Sequence, residues 1–424
     1  MGSNGFDRAD VRRLAVVSYH SSPLVEPGSG DSGGMTIYVR ALAEAMSSRG
    51  VRTDIFTRAN GNTPRISELS PGVRVIGIEA GPHLPVSKEG LSSYLKDFAS
   101  GTRALATLQG SHYDVIHSHY WQSGLAAGVL AKAWDAPLIH SNHTLGRVKN
   151  RFLAPGDAGE PEARLEGEAE VIDMADVLLA STEEEQHYLA CLYGASHDRL
   201  KTLYPGVDHR LFTPGDRAQA RAALGLGAEP VILYVGRIQR LKGLDLAIRA
   251  FKELTQLIAP TEAKFLIVGG ASGAGGEDEV QRLTGLVRSL GMEGRVRFLG
   301  PRPHADLPTY YRAADTLVVC SHYESFGLAA LEAQATGTPV VATAVGGLSY
   351  IVEDGASGFL LGTRDPSAFA ARIATLVNDP VLRAAFGFEG ARRSRSFSWR
   401  RTADELLDLY ECLVDEKLPE VCVC

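Results

Sequence analysis

Short apolar runs, each followed by a loop of glycine or small polar residues and then by a stretch of helical spacing, recur along the whole chain. That alternation is the one expected of parallel-sheet α/β units. The first run is Arg13-Leu14-Ala15-Val16-Val17-Ser18, a strand of the buried type. A loop rich in Gly, Ser and Pro follows from His20 to Gly34, and a helix is predicted over about 35–49. Val51 to Phe56 and Val73 to Ile78 read as the next strands. Tyr113 to His119 is a strand running into a loop, Ser123 to Trp134 a helix, and Pro137 to His140 a strand ending at Ser141-Asn142-His143-Thr144. Val177 to Ser181 and Leu200 to Tyr204 follow. Past Pro205-Gly206 and Pro214-Gly215 the pattern restarts with a strand from Pro230 to Val235, a loop from Gly236 to Gly243 and a helix from Leu244 to Leu254. Further strands are predicted at 264–268, 296–299 and 316–320, and helices near 277–290, 306–313 and 366–377. Both halves begin strand, glycine loop, helix, which predicts two Rossmann-like doubly wound domains facing a central cleft, 1–205 and 206–401. A last helix, predicted over 402–414, carries Leu406, Leu409, Tyr410 and Leu413 on one stripe that must be buried.

The stretch from His322 to Gly347 is the richest in chemistry. Glu324 and Glu332 stand eight residues apart, and the residues between them are good helix formers. Ser325-Phe326-Gly327 therefore reads as a loop feeding a helix N-terminus, with Glu332 expected about two turns into the helix. Unpaired amides at such an end donate to hydroxyls or phosphate oxygens while the carboxylates accept from hydroxyls, so one loop can grip a polyhydroxylated ligand twice. Two solvated helix-end charges would give the same spacing. Residues 340–343 read as a short buried strand, and Gly346-Gly347 opens another loop.

In the loop Gly236-Arg237 to Lys242-Gly243, two cations five positions apart follow a strand. That suits a diphosphate, because Arg forks onto two oxygens and Lys adds a point charge. The loop is not a P-loop. Gly28, Gly30, Gly33 and Gly34 would let the backbone of the first loop approach a ligand closely. His117-x-His119 and His140-x-x-His143 invite a zinc reading and make a metal-dependent hydrolase the rival enzyme class, although that would leave the glutamate and Arg/Lys loops unused. No Gly-x-Ser-x-Gly elbow follows a strand.

Composition narrows the field. A chain of 424 residues, 45% hydrophobic and 22% charged, is a globular protein of more than one core. Its formal charge of −7, with Lys and Arg free of runs, argues against nucleic acid as a partner. The five cysteines, Cys191, Cys320, Cys412, Cys422 and Cys424, form no Cys-x-x-Cys pair and suit a reducing compartment, so a cytoplasmic location is expected. Met1 to Arg13 is too polar for a signal peptide, and no apolar run is long enough to span a bilayer. Cys422-Val423-Cys424 is given no role.

Six motifs in order, GDSGGM from Gly30, HSHYW from His117, HSNHTL from His140, VGRIQRLKG from Val235, YRAAD from Tyr311 and ESFGLAALEA from Glu324, carry a family resemblance. They resemble the retaining, two-Rossmann-domain (GT-B) glycosyltransferases of family 4, most closely the D-inositol-3-phosphate N-acetylglucosaminyltransferases of mycothiol biosynthesis. The resemblance runs from about Arg13 to Leu413. It implies transfer of N-acetylglucosamine from UDP-N-acetylglucosamine, with retention, to 1D-myo-inositol 3-phosphate, and hence a nucleotide sugar and a small phosphorylated polyol as partners. It requires no cofactor, makes a non-catalytic Mg²⁺ at the carbonyls of Tyr311, Arg312 and Ala314 an option, and leaves a homodimer open.

Residue by residue, the resemblance implies Arg237 and Lys242 on the diphosphate, with Gly236 in their loop. Glu332 falls on the ribose, and Glu324 with Ser325, Phe326 and Gly327 on the transferred sugar. Arg302 falls at the base, Gly34 at the phosphate and His143 beside the sugar. Lys88, Tyr120, Thr144 and Arg164 match the side chains that hold the acceptor's phosphate, and His20 matches a further acceptor contact. Thr36 stands where those enzymes have an Asn that touches the cyclitol, which leaves another phosphorylated cyclitol or sugar open as acceptor. The family's last helix returns to the N-terminal domain, so 402–424 is expected there. A nucleotide-sugar sensor without turnover would share the donor loops but would have no use for an acceptor cradle.

Overall fold

The computed structural model describes residues 11–28, 32–61, 63–84, 86–258, 262–273 and 275–417. Gly30, Asp31 and Cys422-Val423-Cys424, singled out above, lie outside the described residues. The apolar runs form two sheets. The first contains β1 (Arg13–Val17), β2 (Arg52–Arg58), β3 (Ile66–Ser70), β4 (Val73–Ile78), β5 (Val115–His119), β6 (Leu138–Ser141), β7 (Val177–Ala180) and β8 (Leu200–Thr202), in the order β3-β4-β2-β1-β5-β6-β7-β8. The second contains β9 (Val231–Val235), β10 (Lys264–Val268), β11 (Val296–Gly300), β12 (Thr316–Val319), β13 (Val340–Thr343) and β14 (Gly358–Leu361), in the order β11-β10-β9-β12-β13-β14.

All ladders are parallel except β3 on β4. Strands buried on both faces explain the unbroken apolar runs, such as Val231-Ile232-Leu233, whose members are at most 1% exposed. The order reverses between β1 and β5 in the first sheet and between β9 and β12 in the second. Those are the switch points at which open parallel sheets leave a ligand crevice. The loops after these four strands are the ones that carry His20 to Gly34, His119-Tyr120, Gly236-Arg237 and Ser321 to Gly327.

The last helix, Trp399–Lys417, begins three residues earlier than its apolar stripe indicates. Trp399, Ala403, Leu406 and Tyr410 are buried in one cluster with Tyr38, Val39, Leu42 and Met46 of the helix Gly34–Ser47. Arg49 fixes the register by donating from Nε to Asp404 at 2.7 Å. The two segments that connect the sheets lie side by side, with the Val207 amide donating to the Phe397 carbonyl at 3.2 Å. A Cβ on Gly206 would stand 2.1 Å from the Trp399 nitrogen, so only glycine permits that approach.

Candidate active site

Between the sheets lies a cleft with a cavity of about 350 Å³. Every residue named from the sequence for the donor or the acceptor lines it except Thr36. On the side of the second sheet, Gly243 has φ +63°, and a Cβ there would sit 2.0 Å from the Cys320 carbonyl oxygen. This glycine lets the turn carrying Lys242 lie against the end of β12, and Lys242 Nζ donates to Glu324 Oε2 at 2.7 Å. Ser321 Oγ donates to the same oxygen at 3.1 Å. Arg237 reaches across the cleft, its Nε 3.2 Å from where a Cβ on Gly33 would be. Gly33 is the N-cap of the helix Gly34–Ser47, so a guanidinium and the positive end of a helix converge on one point.

The helix Leu328–Ala335 starts from Gly327 with no side-chain cap, which leaves its first amides facing the cleft that Gly327, Leu328 and Ala329 line. Glu332 is its fifth residue, one turn in rather than two, because the helix begins only at Leu328. Nor is Glu332 a solvated charge. It is 4% exposed, with His304 Nε2 donating to one carboxylate oxygen at 2.7 Å and Tyr311 Oη to the other at 2.8 Å. Burial disfavours the His304 imidazolium, but the Glu332 carboxylate outweighs it and holds that pKa above its ordinary value. Gly346 and Gly347 do more than open a loop. The Gly347 amide donates to the Glu324 carbonyl at 2.9 Å, and a Cβ on Gly347 would lie 2.2 Å from the Phe326 Cα.

On the side of the first sheet, Tyr120 carries two cations. Lys88 Nζ lies 5.0 Å and the Arg164 guanidinium carbon 5.2 Å from its ring centroid, and the His20 ring is at 4.5 Å. Tyr120 has φ +75° and His143 φ +59°, backbone conformations that non-glycine residues hold only where the surroundings impose them. Burial pushes the Tyr120 phenol up to about 12 and the His143 imidazole down to about 3. His20 is driven well below its usual value by burial and then by Lys88, His143, Arg164 and Arg237. Arg164 Nη2 donates to Thr144 Oγ1 at 3.0 Å, so two groups of the expected phosphate cradle already touch.

Three readings are corrected. Thr36 does not face the cleft. It is 1% exposed, and its hydroxyl bonds Ser21 Oγ at 3.1 Å and Ser32 Oγ at 2.9 Å, because its position in the first helical turn points it into the loop after β1. The histidine pairs do not form a zinc site. His117 bonds Tyr410 Oη at 2.6 Å and Ser141 Oγ at 2.9 Å, His140 bonds Ser118 Oγ at 2.8 Å, and His119 Nδ1 shares a hydrogen bond of 2.9 Å with His143 Nε2. Among the described residues no three His, Cys, Asp or Glu side chains gather as a metal would need. The solvated-charge alternative for the two glutamates also fails, since both are paired.

Sequence reasoning missed the partners that hold these groups: His304 and Tyr311 on Glu332, and Glu160 and Glu168 on Arg164. Spacing alone could have found the second set, because Glu160, Arg164 and Glu168 stand four apart. Lys149 also lines the cleft and pairs with Glu160. Among the described residues no helix is long and apolar enough to cross a membrane.

Comparison with known proteins agrees with this geometry. A family model described as Glycosyl transferases group 1 matches residues 216–393, and one described as Glycosyl transferase 4-like domain matches 33–206. The D-inositol 3-phosphate glycosyltransferase of Nocardiopsis dassonvillei is 45% identical over 413 residues, 96% of either chain. That of Actinosynnema mirum is 46% identical over 405 residues, 94% of this chain and 97% of its own. Among solved structures, sucrose-phosphate synthase from Thermosynechococcus elongatus superposes with a TM-score of 0.88 at 34% identity, covering 96% of this chain and all 100% of that one. Anabaena Alr3699/HepE, solved with UDP and glucose, gives a TM-score of 0.74 at 21% identity, covering 95% of this chain and 100% of its own, a likeness of fold alone.

Proposed function

Since the chain belongs to the group 1 glycosyltransferases, and is therefore an enzyme that uses a nucleotide-diphosphate sugar, we propose that it moves N-acetylglucosamine from UDP-N-acetylglucosamine, with retention, to a hydroxyl of 1D-myo-inositol 3-phosphate. The observation that carries this reading is the meeting of two anion-binding walls in one cleft. Arg237, Lys242 and the helix ends suit a diphosphate, while Lys88, Arg164 and Tyr120 suit a second, smaller phosphate. The names of the relatives supply inositol phosphate as the acceptor class.

In this reading Glu332 takes the ribose hydroxyls, its two oxygens oriented by His304 and Tyr311, and Arg302 lies at the base. Glu324, Ser325, Phe326 and Gly327 hold the transferred sugar, with His143 beside it and Gly34 and Gly236 giving amides and space at the phosphates. The bond from the sugar's anomeric carbon to the diphosphate oxygen breaks, and the acceptor oxygen bonds that carbon on the same face. The acceptor's proton passes to the leaving phosphate. Arg237 and Lys242 stabilise the charge that builds on it, and the two walls hold the reactants at bonding distance. Glu324 is engaged by Lys242 and Ser321, which favours a hydroxyl contact over nucleophilic attack.

The resemblance makes Mg²⁺ optional at the carbonyls of Tyr311, Arg312 and Ala314, but the Tyr311 carbonyl already accepts the Thr338 hydroxyl at 2.7 Å and the Ala314 amide at 3.1 Å, so the residues present fit a cation poorly and no step is assigned to one. A second reading, transfer to another phosphorylated cyclitol or sugar, is favoured by Thr36, whose hydroxyl is spent on Ser21 and Ser32. Incubating the enzyme with a panel of nucleotide sugars and phosphorylated polyols, with products read by mass and by anomeric configuration, tests both. An inverted product, or none from any pair, overturns the reading.

A further inference from the structure

Arg164, a cation of the acceptor wall, is held by groups that lie partly outside the cleft. Glu168, on the helix Glu162–Met174 and 1% exposed, accepts Arg164 Nε at 2.7 Å on one oxygen. Its other oxygen accepts the Gly146 amide at 2.8 Å and the hydroxyl of Tyr193. The Gly146 amide opens the helix Gly146–Arg151, directly after the Thr144 turn. One buried carboxylate thus ties together the guanidinium and the turn that carries Thr144, and the guanidinium in turn packs on the Tyr120 ring. Tyr193, the last residue of the helix Glu183–Tyr193, does not line the cleft. Its oxygen also accepts the Arg147 amide at 3.0 Å, and its ring lies 4.7 Å from the Arg147 guanidinium carbon, so the hydroxyl is aimed at Glu168 by its surroundings.

We propose that Glu168 is the positioning residue for the acceptor's phosphate, and that Tyr193, outside the cleft, acts on acceptor recognition through it. The proposal rests on the acceptor reading given above. A buried carboxylate that loses one donor loses its direction, and the guanidinium it holds through Nε, which Glu160 and Thr144 hold through its other nitrogens, shifts with it. Neither residue touches the nucleotide sugar, so their effect belongs to one substrate.

The test uses the full chain with Tyr193→Phe and Glu168→Gln, each checked for an unchanged melting profile, with UDP-N-acetylglucosamine as donor and inositol 3-phosphate or inositol as acceptor. Tyr193→Phe is expected to raise KM for the phosphorylated acceptor severalfold and Glu168→Gln at least about tenfold, the scale of a weakened charge-assisted contact. Neither should change kcat or UDP affinity beyond twofold or so. The preference for the phosphorylated over the free polyol should shrink by the same factors. If Glu168→Gln does not fold, Tyr193→Phe decides alone. Unchanged acceptor KM in Tyr193→Phe, or equal losses on the two acceptors, overturns the proposal. Absence of any preference in the wild-type enzyme instead overturns the acceptor reading, and this inference with it.

Discussion

Lys242 Nζ lies 2.7 Å from Glu324 Oε2, so the cation proposed for the donor's diphosphate and the carboxylate proposed for its sugar form an ion pair with each other. Each is about four-fifths buried, where such a pair is stronger than at a surface and costly to break by removing one partner. Lys242→Ala is expected to lower kcat by about a hundredfold, since it removes charge facing the leaving group. Glu324→Gln frees the lysine, so UDP should bind at least as tightly as before while use of UDP-N-acetylglucosamine falls. Calorimetry with UDP on both variants checks this. A matching loss of UDP affinity in the two would contradict the division of roles.

His304 and Tyr311 grip Glu332 from either side, and that grip has a pH signature. The His304 pKa is raised in the folded protein, so the pair's contribution is complete below the unfolded value near 6.5 and is lost as pH climbs through the folded value. The stability advantage of wild type over Glu332→Gln, measured in urea, should shrink as pH rises above about 6.5, the depressed histidines being common to both proteins. Tyr311→Phe should weaken UDP binding several-fold without abolishing it, because one oxygen of Glu332 keeps His304.

On the acid side the sign is opposite. Burial holds His140 and His143 down at about 3, and His20, His117 and His119 well below normal. Between pH 6.5 and 5 the unfolded chain takes up protons that the folded one refuses, so each such histidine lowers stability as pH falls. His140→Gln should reduce the acid slope by one proton's share. An unchanged slope would mean that His140 is charged in the folded protein.

Gly347 tests the loop. A Cβ 2.2 Å from the Phe326 Cα has nowhere to go, because the obstacle is backbone. Gly347→Ala should cost about 1–3 kcal/mol in stability, as overpacking does, and lower kcat/KM for the nucleotide sugar at least tenfold or so by moving Ser325 to Gly327. Wild-type kinetics in this variant would show that the loop is set from elsewhere.

The fold was legible where burial on both faces made strands continuous apolar runs, as in Val231 to Val235, and where glycines forced the turns. β3 was not, because Ile66-Ser67-Glu68-Leu69-Ser70 is a polar edge strand with Ile66 45% exposed. The cleft was legible because Tyr120 and Arg237 stand just past strand ends and Lys242 and Glu324 lie in the connections that follow β9 and β12. What escaped were the groups that orient them. His304 reaches Glu332 from a 3₁₀ turn 28 residues away in sequence, and Tyr193 reaches Glu168 across 25, distances that no local pattern records. Thr36 failed for the converse reason: a matching position in the chain does not say which way a helical side chain points.

The account stands on a second phosphate being held by Lys88, Arg164, Tyr120 and Thr144, and comparing 1D-myo-inositol 3-phosphate with myo-inositol as acceptors, with UDP-N-acetylglucosamine as donor, measures that directly. Loss of several charge-assisted contacts should lower kcat/KM for the unphosphorylated polyol by at least about a hundredfold. Equal values for the two acceptors would contradict the account.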